Sequence, residues 1–543
     1  MGAEKVKRKY SLFTNKQLLW LILPIVIESA LSMSLGMIDG VMASHAKTGT
    51  AEDILAAITQ VDQISSLLIQ LLSAFAAGGA ILTSQLLGAG KTEEANRSAK
   101  QLAVIMLLIS VVLMALCMAL NRPILQLLFG EQPKETMDYA SQYFMIMAAS
   151  YPFLALFNCC AALLRAQRKS MNTLLSGAIS FFLNIGFNAI FIYWAKLEVV
   201  GVALGTLLAR IFPAFFTLFL LSNKNNVVRI RLFEKFRFNG GHLKNILKLA
   251  VPSGIENSLF QLGKILVIVF ISIGLYNTPI RNEAGEIIKY INYHAAANSA
   301  AYNINTMSSM VGNGINTSIL TVIGQAIGTG DLGQVKYYIK KMLAIAYIGN
   351  ALCVAAVWAC ATPLLDFYNV SEEARDIAWK CLCLCLSVQF VTYPLSFGLP
   401  AVLKASSDVR FVMIAAVASM AVFRVGLCYI LTCKWVGLHM GARGLWIGMV
   451  CDWVMRSLLF GGRVLSGKWV KASGRIRQPA TADATAGDGS NGEVGSGGSG
   501  DNGGNAVEVA AEVTAPQTAE GEVENPSEQS QPHLSKDADT VEN

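Results

Sequence analysis

The sequence predicts an all-α integral membrane protein with about twelve transmembrane helices, arranged as two six-helix lobes. Three observations support this fold class. Hydrophobic residues make up 54% of the 543 residues, charged residues only 15%, and the mean hydropathy is +0.48, which is far from the balance of a soluble domain. Twelve apolar runs are each long enough to cross a bilayer. Motifs in the first half of the chain recur in the same order in the second half.

Each predicted span approaches or exceeds the roughly 20 residues that a bilayer requires. In chain order, the spans are residues 18–42, 58–87, 101–121, 141–164, 173–194, 200–222, 250–275, 296–326, 342–364, 381–403, 411–433 and 444–465. The first six form a predicted N-lobe over residues 18–222, and the last six form a C-lobe over residues 246–465.

Basic residues are distributed unequally between alternate loops. If the N-terminal segment, residues 1–17, is cytoplasmic, the loops on that side contain about 28 Lys and Arg against about 10 on the other. The basic inter-lobe linker, residues 223–245, and the basic juxtamembrane segment, residues 466–477, then both lie in the cytoplasm. We therefore expect both termini to be cytoplasmic, and the protein to lie in the inner membrane.

Residues 478–543 have a different composition. They contain no aromatic residue and many Gly, Ser, Asp and Glu residues, so they cannot bury enough apolar surface to fold. We predict a disordered acidic tail. The rest of the chain carries the basic excess, which fits anionic lipid headgroups rather than nucleic acid.

The two halves share a series of motifs. The segment "PIVIES", from Pro24, recurs as "PSGIEN", from Pro252. In the same way, "QLLGAG", from Gln85, recurs as "QAIGTG", from Gln325, and "LLRA" at 163–166 recurs as "VLKA" at 402–405. Because six is an even number of helices, both copies insert in the same orientation. Their pseudo-twofold axis should then run along the membrane normal.

These motifs resemble the multidrug and toxic compound extrusion (MATE) family, in its bacterial branch, from about residue 15 to 465. The resemblance rests on Pro24 fifteen residues before Asp39, on "QLLGAGK" after the second span and on "NIGFNAIFIY" in the fifth. The stretches "SAFAAGGAILTSQ" and "LAVPSGIENSLFQLGK" are also similar. The family implies a V-shaped central cleft between the lobes and efflux of organic compounds coupled to H⁺ or Na⁺.

Two carboxylates in the first span are the first candidate sites. Glu28 and Asp39 are eleven residues apart, about three turns, so they share one face of the helix. Acids at membrane depth are functional candidates by default, and a carboxylate that gains and loses a cation can couple an ion gradient to a conformational change. The resemblance identifies Asp39 as the coupling acid and leaves a Na⁺ site there open. Pro24 should bend this helix.

Other polar residues extend the candidate site. Glu256 in the seventh span and Asp62 in the second are further coupling candidates. In the fifth span, Asn184 matches one branch of the family, but Asn188 stands where that branch has an Asp.

Lys264, Arg210 and Arg424 have no partner nearby in sequence, so any of the three is a candidate to pair with Glu28, Asp62 or Glu256 across the cleft. Asn305 belongs to a polar stripe on the eighth span that should line the cleft or, alternatively, form interhelical hydrogen bonds. Asp452 and Arg456 are one turn apart and should form an ion pair.

The leading functional interpretation is secondary active efflux of amphipathic or cationic organic compounds, without a cofactor other than the coupling ion. A lipid-linked oligosaccharide or lipid flippase of the same superfamily is the alternative, because Lys264, Arg210 and Arg424 could bind pyrophosphate. An enzyme is not expected, since "GAGKT" at 88–92 lacks the first Gly of a phosphate-binding loop and no HExxH or GxSxG motif occurs. We expect a monomer that contacts small-molecule substrates and membrane lipids.

Overall fold

A computed structural model gives the architecture of residues 12–44, 51–130, 133–195, 197–230, 240–273, 278–281, 287–368, 370–432 and 438–474. The predicted acidic tail and the side chain of Asp39 lie outside the residues and side chains that it describes.

The first half consists of α1 (Asn15–Ser44), α2 (Ala51–Gly88), α3 (Thr92–Ala119), α4 (Asn121–Phe129), α5 (Lys134–Ala149), α6 (Tyr151–Ala166), α7 (Ser170–Ala189) and α8 (Glu198–Ser222). The second half begins with α9 (Gly240–Ile273) and an antiparallel hairpin of β1 (Thr278–Arg281) and β2 (Ile287–Ile291). It continues with α10 (Tyr293–Ser308), α11 (Met310–Gly328), α12 (Leu332–Phe367), α13 (Glu372–Tyr393), α14 (Leu399–Ala405), α15 (Val409–Ser419), α16 (Cys428–Thr432), α17 (Ala442–Leu465) and α18 (Lys468–Ser473).

Three π-helical segments extend or join these helices. Ile190–Trp194 extends α7, Pro394–Gly398 joins α13 to α14, and Met420–Leu427 joins α15 to α16. The π segments after α7 and α15 occur in the fifth and eleventh predicted spans, which are equivalent in the repeat.

Ten helices within the described residues are long and apolar enough to cross a membrane, or eleven if α5 and α6, which are bent by 41° to each other, form one span. Eleven of the twelve predicted spans overlap these helices. The remaining one, 296–326, folds as α10 and α11, which meet at Ser309. The polar stripe lowers the hydropathy of this stretch. We attribute its absence from the apolar spans to this composition.

The first helix of each half packs partly in the core of the other half. The beginning of α1, with Leu18 and Ile22, lies in a cluster built mainly from α11, α12 and α14. The beginning of α9, with Ile246 and Ala250, lies in a cluster built mainly from α2 to α8. This exchange joins the two six-helix halves, as the duplicated sequence implies.

The same local chemistry ends α2 and α11. Gly90 and Gly330, at equivalent positions in the repeat, have φ of 73° and 77°, and glycine adopts this left-handed conformation without steric cost. After Gly330, the Asp331 side chain accepts a hydrogen bond of 2.8 Å from the Gly333 amide and caps α12. The repeated glycines therefore place both helix ends in the same way.

Candidate functional site

A cavity of about 450 Å³ lies between the two halves. Both halves contribute polar side chains to its wall, including Glu28, Ser32, Ser73, Asn158 and Arg165 from the first half and Ser253, Asn257, Asn313, Thr317 and Lys404 from the second. A polar cavity at the interface of two inverted or parallel repeats is where transporters bind their substrates.

Glu28 forms a partly buried ion pair in this wall. Its Oε1 lies 3.0 Å from Nη2 of Arg165, at the end of α6, and its Oε2 accepts a hydrogen bond of 2.8 Å from the Thr173 hydroxyl on α7. The two charged side chains are only 13% and 19% exposed. A Cβ at Gly177 would lie 3.2 Å from Cγ of Glu28, so the absence of a side chain there leaves room for the acid. Both carboxylate oxygens thus accept from a donor.

Glu256 forms the equivalent ion pair in the second half. Its Oε2 lies 3.0 Å from Nζ of Lys404, at the end of α14, and the side chains are 11% and 16% exposed. Glu256 is the repeat counterpart of Glu28, and Lys404 is the counterpart of Arg165. Apart from this ion pair, Oε2 of Glu256 is buried without a hydrogen-bond partner among the described residues. The second pair therefore has fewer contacts than the first.

One end of the cavity is closed by a seam between α2 and α11. Gln85 donates from Nε2 to the carbonyl of Ala405 at 2.7 Å, and its repeat counterpart Gln325 donates to the carbonyl of Ala166 at 2.7 Å. A Cβ at Gly88 would lie 2.1 Å from the Gln325 carbonyl oxygen, and one at Gly328 would lie 2.2 Å from that of Gln85. The two helices can cross this closely only because both positions are glycine.

Arg168 and the start of the described chain add to the seam. Arg168 donates from Nε and Nη2 to Oε1 of Gln325, at 2.8 and 2.6 Å, and its guanidinium lies 3.9 Å from the ring centroid of Phe13. The Phe13 amide donates to the Tyr338 hydroxyl at 2.7 Å. Burial lowers the pKa of Arg168 from its usual value, but guanidinium stays protonated at neutral pH. These contacts join three separate parts of the chain at the closed end.

Several predicted site residues lie away from the cavity wall. Asp62 accepts a hydrogen bond of 3.2 Å from the Tyr143 hydroxyl. Asn188 donates to Asn184 at 3.0 Å, and Asn184 lies 3.4 Å from the Thr206 hydroxyl, so both amides are buried between α7 and α8. Asn305 is buried beside Ser308 and Cys385. Their contacts fit the alternative that such residues join helices within a half.

Pro24 lies inside α1, and the helix continues past it to Ser44.

Lys264 does not pair with Glu28, Asp62 or Glu256, whose partners are described above. Its Nζ lies 5.2 Å from the ring centroid of Phe260 and 5.9 Å from that of Tyr302. The pairing is therefore wrong for Lys264, since Glu28 and Glu256 pair with Arg165 and Lys404 instead. Arg424, another of the expected cations, lies 3.9 Å from Asp452.

A second charged cluster is buried in the second half. Asp452 is paired with Arg456, as its spacing predicts, with 3.0 Å between Oδ1 and Nε. Asp452 also accepts a hydrogen bond of 2.7 Å from the Ser419 hydroxyl, and its Oδ2 lies 3.9 Å from Nη1 of Arg424. The carboxylate of Asp452 is fully buried.

Sequence reasoning missed Arg165 and Lys404 as partners of the cavity acids. The signal was present, because "LLRA" and "VLKA" were recognisable as repeats and both contain a basic residue at the third position. The Na⁺ site left open at Asp39 lies outside the described side chains. Among described residues, no group of three His, Cys, Asp or Glu side chains could bind a metal ion.

Comparisons with known proteins agree on one family. A family model described as MatE matches residues 24–190 and 291–430. An uncharacterized transporter, YisQ of Bacillus subtilis, is 24% identical over 477 residues, which is 86% of this chain and 96% of that protein. A probable multidrug resistance protein, NorM of Thermotoga maritima, is 22% identical over 87% of this chain and 98% of its own length.

Solved structures share the fold. One described as the outward-facing conformation of a multidrug resistance MATE family transporter has a TM-score of 0.72 at 20% identity, covering 84% of this chain and 96% of that chain. Another, a MOP superfamily transporter from Pyrococcus furiosus whose description states a reverse polarity of the binding pocket, has a TM-score of 0.72 at 21% identity over the same shares. With ten to eleven apolar spans among its described residues, this chain is a multi-pass membrane protein.

Proposed function

Because the chain belongs to the MatE family, a family of transporters, we propose that it exports amphipathic or cationic organic compounds by antiport with H⁺ or Na⁺. The relatives named as probable multidrug resistance protein and multidrug export protein support this class of substrate. The cavity supports transport of a small solute as well, because its size suits a small organic molecule and polar side chains from both halves line it.

One observation carries the proposal. Two acids at equivalent positions of the repeat, Glu28 and Glu256, each pair with a base that lines one cavity, Arg165 in the first half and Lys404 in the second. An antiporter needs a charge that a bound cation can neutralise, so that the cation gradient biases the conformational equilibrium. A proton or Na⁺ bound by either acid weakens its pair with Arg165 or Lys404.

The base of each ion pair and the carbonyl that accepts the seam hydrogen bond belong to adjacent residues. This adjacency provides a path by which cation binding can be coupled to the seam. Ala166, which accepts the bond from Gln325, directly follows Arg165, and Ala405, which accepts the bond from Gln85, directly follows Lys404. Release of either base frees the adjacent carbonyl to move, and the seam bond depends on that carbonyl. In this mechanism, cation binding in the cavity promotes opening of the seam.

The basic loops orient the proposed cycle. The seam lies where α2 and α11 end, on the side that the distribution of Lys and Arg assigns to the cytoplasm. The conformation described here would then be closed to the cytoplasm. Asp39, seven residues or about two turns after Ser32 on the same helix, is proposed as a further coupling acid from the family resemblance. We propose that the chain works as a monomer in the inner membrane.

Transport in proteoliposomes tests the function. A fluorescent organic cation should be driven against its gradient when a pH or Na⁺ gradient is imposed, and the two gradients applied separately identify the coupling ion. Equal transport with no gradient, or none with either, would contradict antiport.

A lipid-linked oligosaccharide or lipid flippase is the second candidate, favoured by the basic residues Lys264, Arg424 and Arg456 around Phe260. Translocation of a fluorescent pyrophosphate lipid in the same proteoliposomes, without transport of the organic cation, would support it.

A further inference from the structure

Three basic side chains surround one aromatic ring in the second half. The cationic groups of Lys264, Arg424 and Arg456 lie 5.2, 4.8 and 4.9 Å from the ring centroid of Phe260. We define these four residues, with Asp452, as the Phe260 cluster. It contains three positive charges and one negative charge, so its net charge is positive at membrane depth, where unneutralised charge is costly.

The single acid does not neutralise all three bases. Asp452 makes its close contact with Arg456, at 3.0 Å, and lies 3.9 Å from Arg424. Nε and Nη1 of Arg424 are buried without a hydrogen-bond acceptor, and its side chain is only 5% exposed. In the described part of the chain, no carboxylate lies within 4.0 Å of Lys264. Cation–π contacts with one ring offset this cost only in part, because they contribute about 0.5–2 kcal/mol each.

The cluster adjoins the cavity along α9, although none of its five residues lines it. Asn257 on α9 lines the cavity, and Phe260 and Lys264 follow it at three and seven residues, so they lie on the same face of that helix. Asn313 on α11 also lines the cavity. Tyr302 lies eleven residues earlier, on α10, and is 38% exposed. Lys264 therefore lies about two turns along α9 from Asn257, away from the seam.

Aromatic rings connect the two places. Tyr393 donates to Asn313 at 3.1 Å, and its ring lies 4.7 Å from that of Phe397, which in turn is 6.4 Å from Phe260 and 5.8 Å from Trp453. The indole Nε1 of Trp453 is also buried without an acceptor. This part of the wall thus has an excess of donors next to flat apolar surfaces, which is the complement of an aromatic molecule with an acidic group.

Arg424 lies in the π-helical segment Met420–Leu427, and such segments are frequent at functional sites. We propose that Lys264 and Arg424 bind the anionic group of an aromatic organic molecule that enters from the cavity, so that the transported compounds include amphipathic anions and zwitterions. The inference rests on the proposed transport function and extends its substrate class. Lys264 is the more exposed of the two side chains and contacts the ligand first. A small displacement of the Lys264 side chain then exposes Arg424 to the ligand.

Equilibrium binding to the purified full chain in phosphatidylcholine nanodiscs tests the site. Three dansyl probes of similar size differ in charge: dansylglycine is anionic, dansylglycinamide is neutral and dansylcadaverine is cationic. We expect dansylglycine to bind more tightly than its amide, and Lys264→Gln or Arg424→Gln to weaken dansylglycine binding about tenfold or more, since each removes a charge-assisted hydrogen bond. Neither change should weaken binding of dansylcadaverine.

Lys248→Gln is the matched control, because Lys248 is an exposed lysine on the same helix and lies four turns before Lys264. Arg424→Gln should still fold, because Asp452 keeps its contact with Arg456. Equal affinity for the three probes, or equal effects of Lys264→Gln and Lys248→Gln, would overturn the site. Loss of dansylglycine binding when phosphatidylglycerol is added to the nanodiscs would show that a lipid phosphate occupies the cluster. That result would overturn the proposal that the cluster binds an organic solute.

The two proposals fail separately. If dansylcadaverine is driven by an ion gradient but dansylglycine does not bind, the anion site is wrong and the antiport proposal stands. If dansylglycine binds through Lys264 but no probe is driven by either gradient, the site stands and antiport is wrong.

Discussion

Gln85 and Gln325 make the same hydrogen bond to opposite halves of the chain, each donating at 2.7 Å to the carbonyl of an alanine that follows a cavity base. The alanines, Ala405 and Ala166, come directly after Lys404 and Arg165. A change in either ion pair therefore acts on the seam through one peptide unit.

Glu256→Gln should abolish gradient-driven efflux while leaving insertion intact. The substitution keeps the shape of the side chain but removes the charge that a proton or Na⁺ would neutralise, and Lys404 loses its carboxylate. Efflux of a fluorescent cation is measured in proteoliposomes at matched protein levels. Glu372→Gln is the control, because Glu372 is an exposed acid in the first turn of α13. Full coupled transport by the Glu256 variant would show that this pair does not couple.

Gly88→Ala should weaken the seam. A Cβ at this position would lie 2.1 Å from the Gln325 carbonyl oxygen, so α2 and α11 must separate. We expect weaker dipolar coupling between spin labels attached through Lys91→Cys and Thr329→Cys in a background without native cysteines, and slower efflux. Gly186→Ala is the control, because nothing lies within 4 Å of its added Cβ. Unchanged coupling between the labels would mean that the seam tolerates the methyl group.

The sequence predicted the spans well because bilayer thickness fixes helix length and composition. It failed where those cues weaken. The stretch 296–326 contains Asn298, Asn305 and Asn316, and it folds as two helices that meet at Ser309. The repeat made the halves recognisable even at low similarity, since Gly90 and Gly330 need the same left-handed backbone.

The site was predicted less completely than the fold. Glu28 and Glu256 could be chosen because an acid at membrane depth stands out in sequence. Their basic partners could not be chosen from the sequence. Arg165, for example, is 137 residues from Glu28, and such pairing depends on how the helices pack. Lys264 was a candidate partner for these acids because no acid is near it in sequence, but packing places it beside Phe260.

Asp452→Asn should lower stability more than it lowers coupling. The carboxylate is fully buried and neutralises Arg456, so its loss leaves buried cations without a counter-charge, at a cost of about 3–5 kcal/mol. Thermal unfolding in detergent, followed by tryptophan fluorescence, gives the comparison. Asp376→Asn is the control, because Asp376 forms exposed pairs with Lys380 and Arg443, which contribute at most about 1 kcal/mol. Equal unfolding temperatures for both variants would contradict a structural role for Asp452.

Removal of the chain after residue 477 should leave transport unchanged. The last described helix, α18, ends at Ser473, and the sequence beyond it contains no aromatic residue that could dock on the halves. Efflux rate and unfolding temperature of the truncated and full chains provide the measurement. Loss of efflux by a truncated protein that still inserts and folds would give the tail a regulatory role.

Asp39→Asn should abolish coupling without loss of insertion. The family resemblance identifies Asp39 as the coupling acid of the first span, and the amide keeps its size and hydrogen-bonding capacity but cannot exchange a proton or attract Na⁺. Substrate binding should survive, because Glu28 and Glu256 still line or border the cavity. Antiport is measured under imposed pH and Na⁺ gradients, together with equilibrium binding of the fluorescent cation, beside Asp452→Asn at matched protein levels. Full antiport by the Asp39 variant would exclude the acid of the first span and leave Glu28 and Glu256, each one turn after a repeated proline, as the coupling pair.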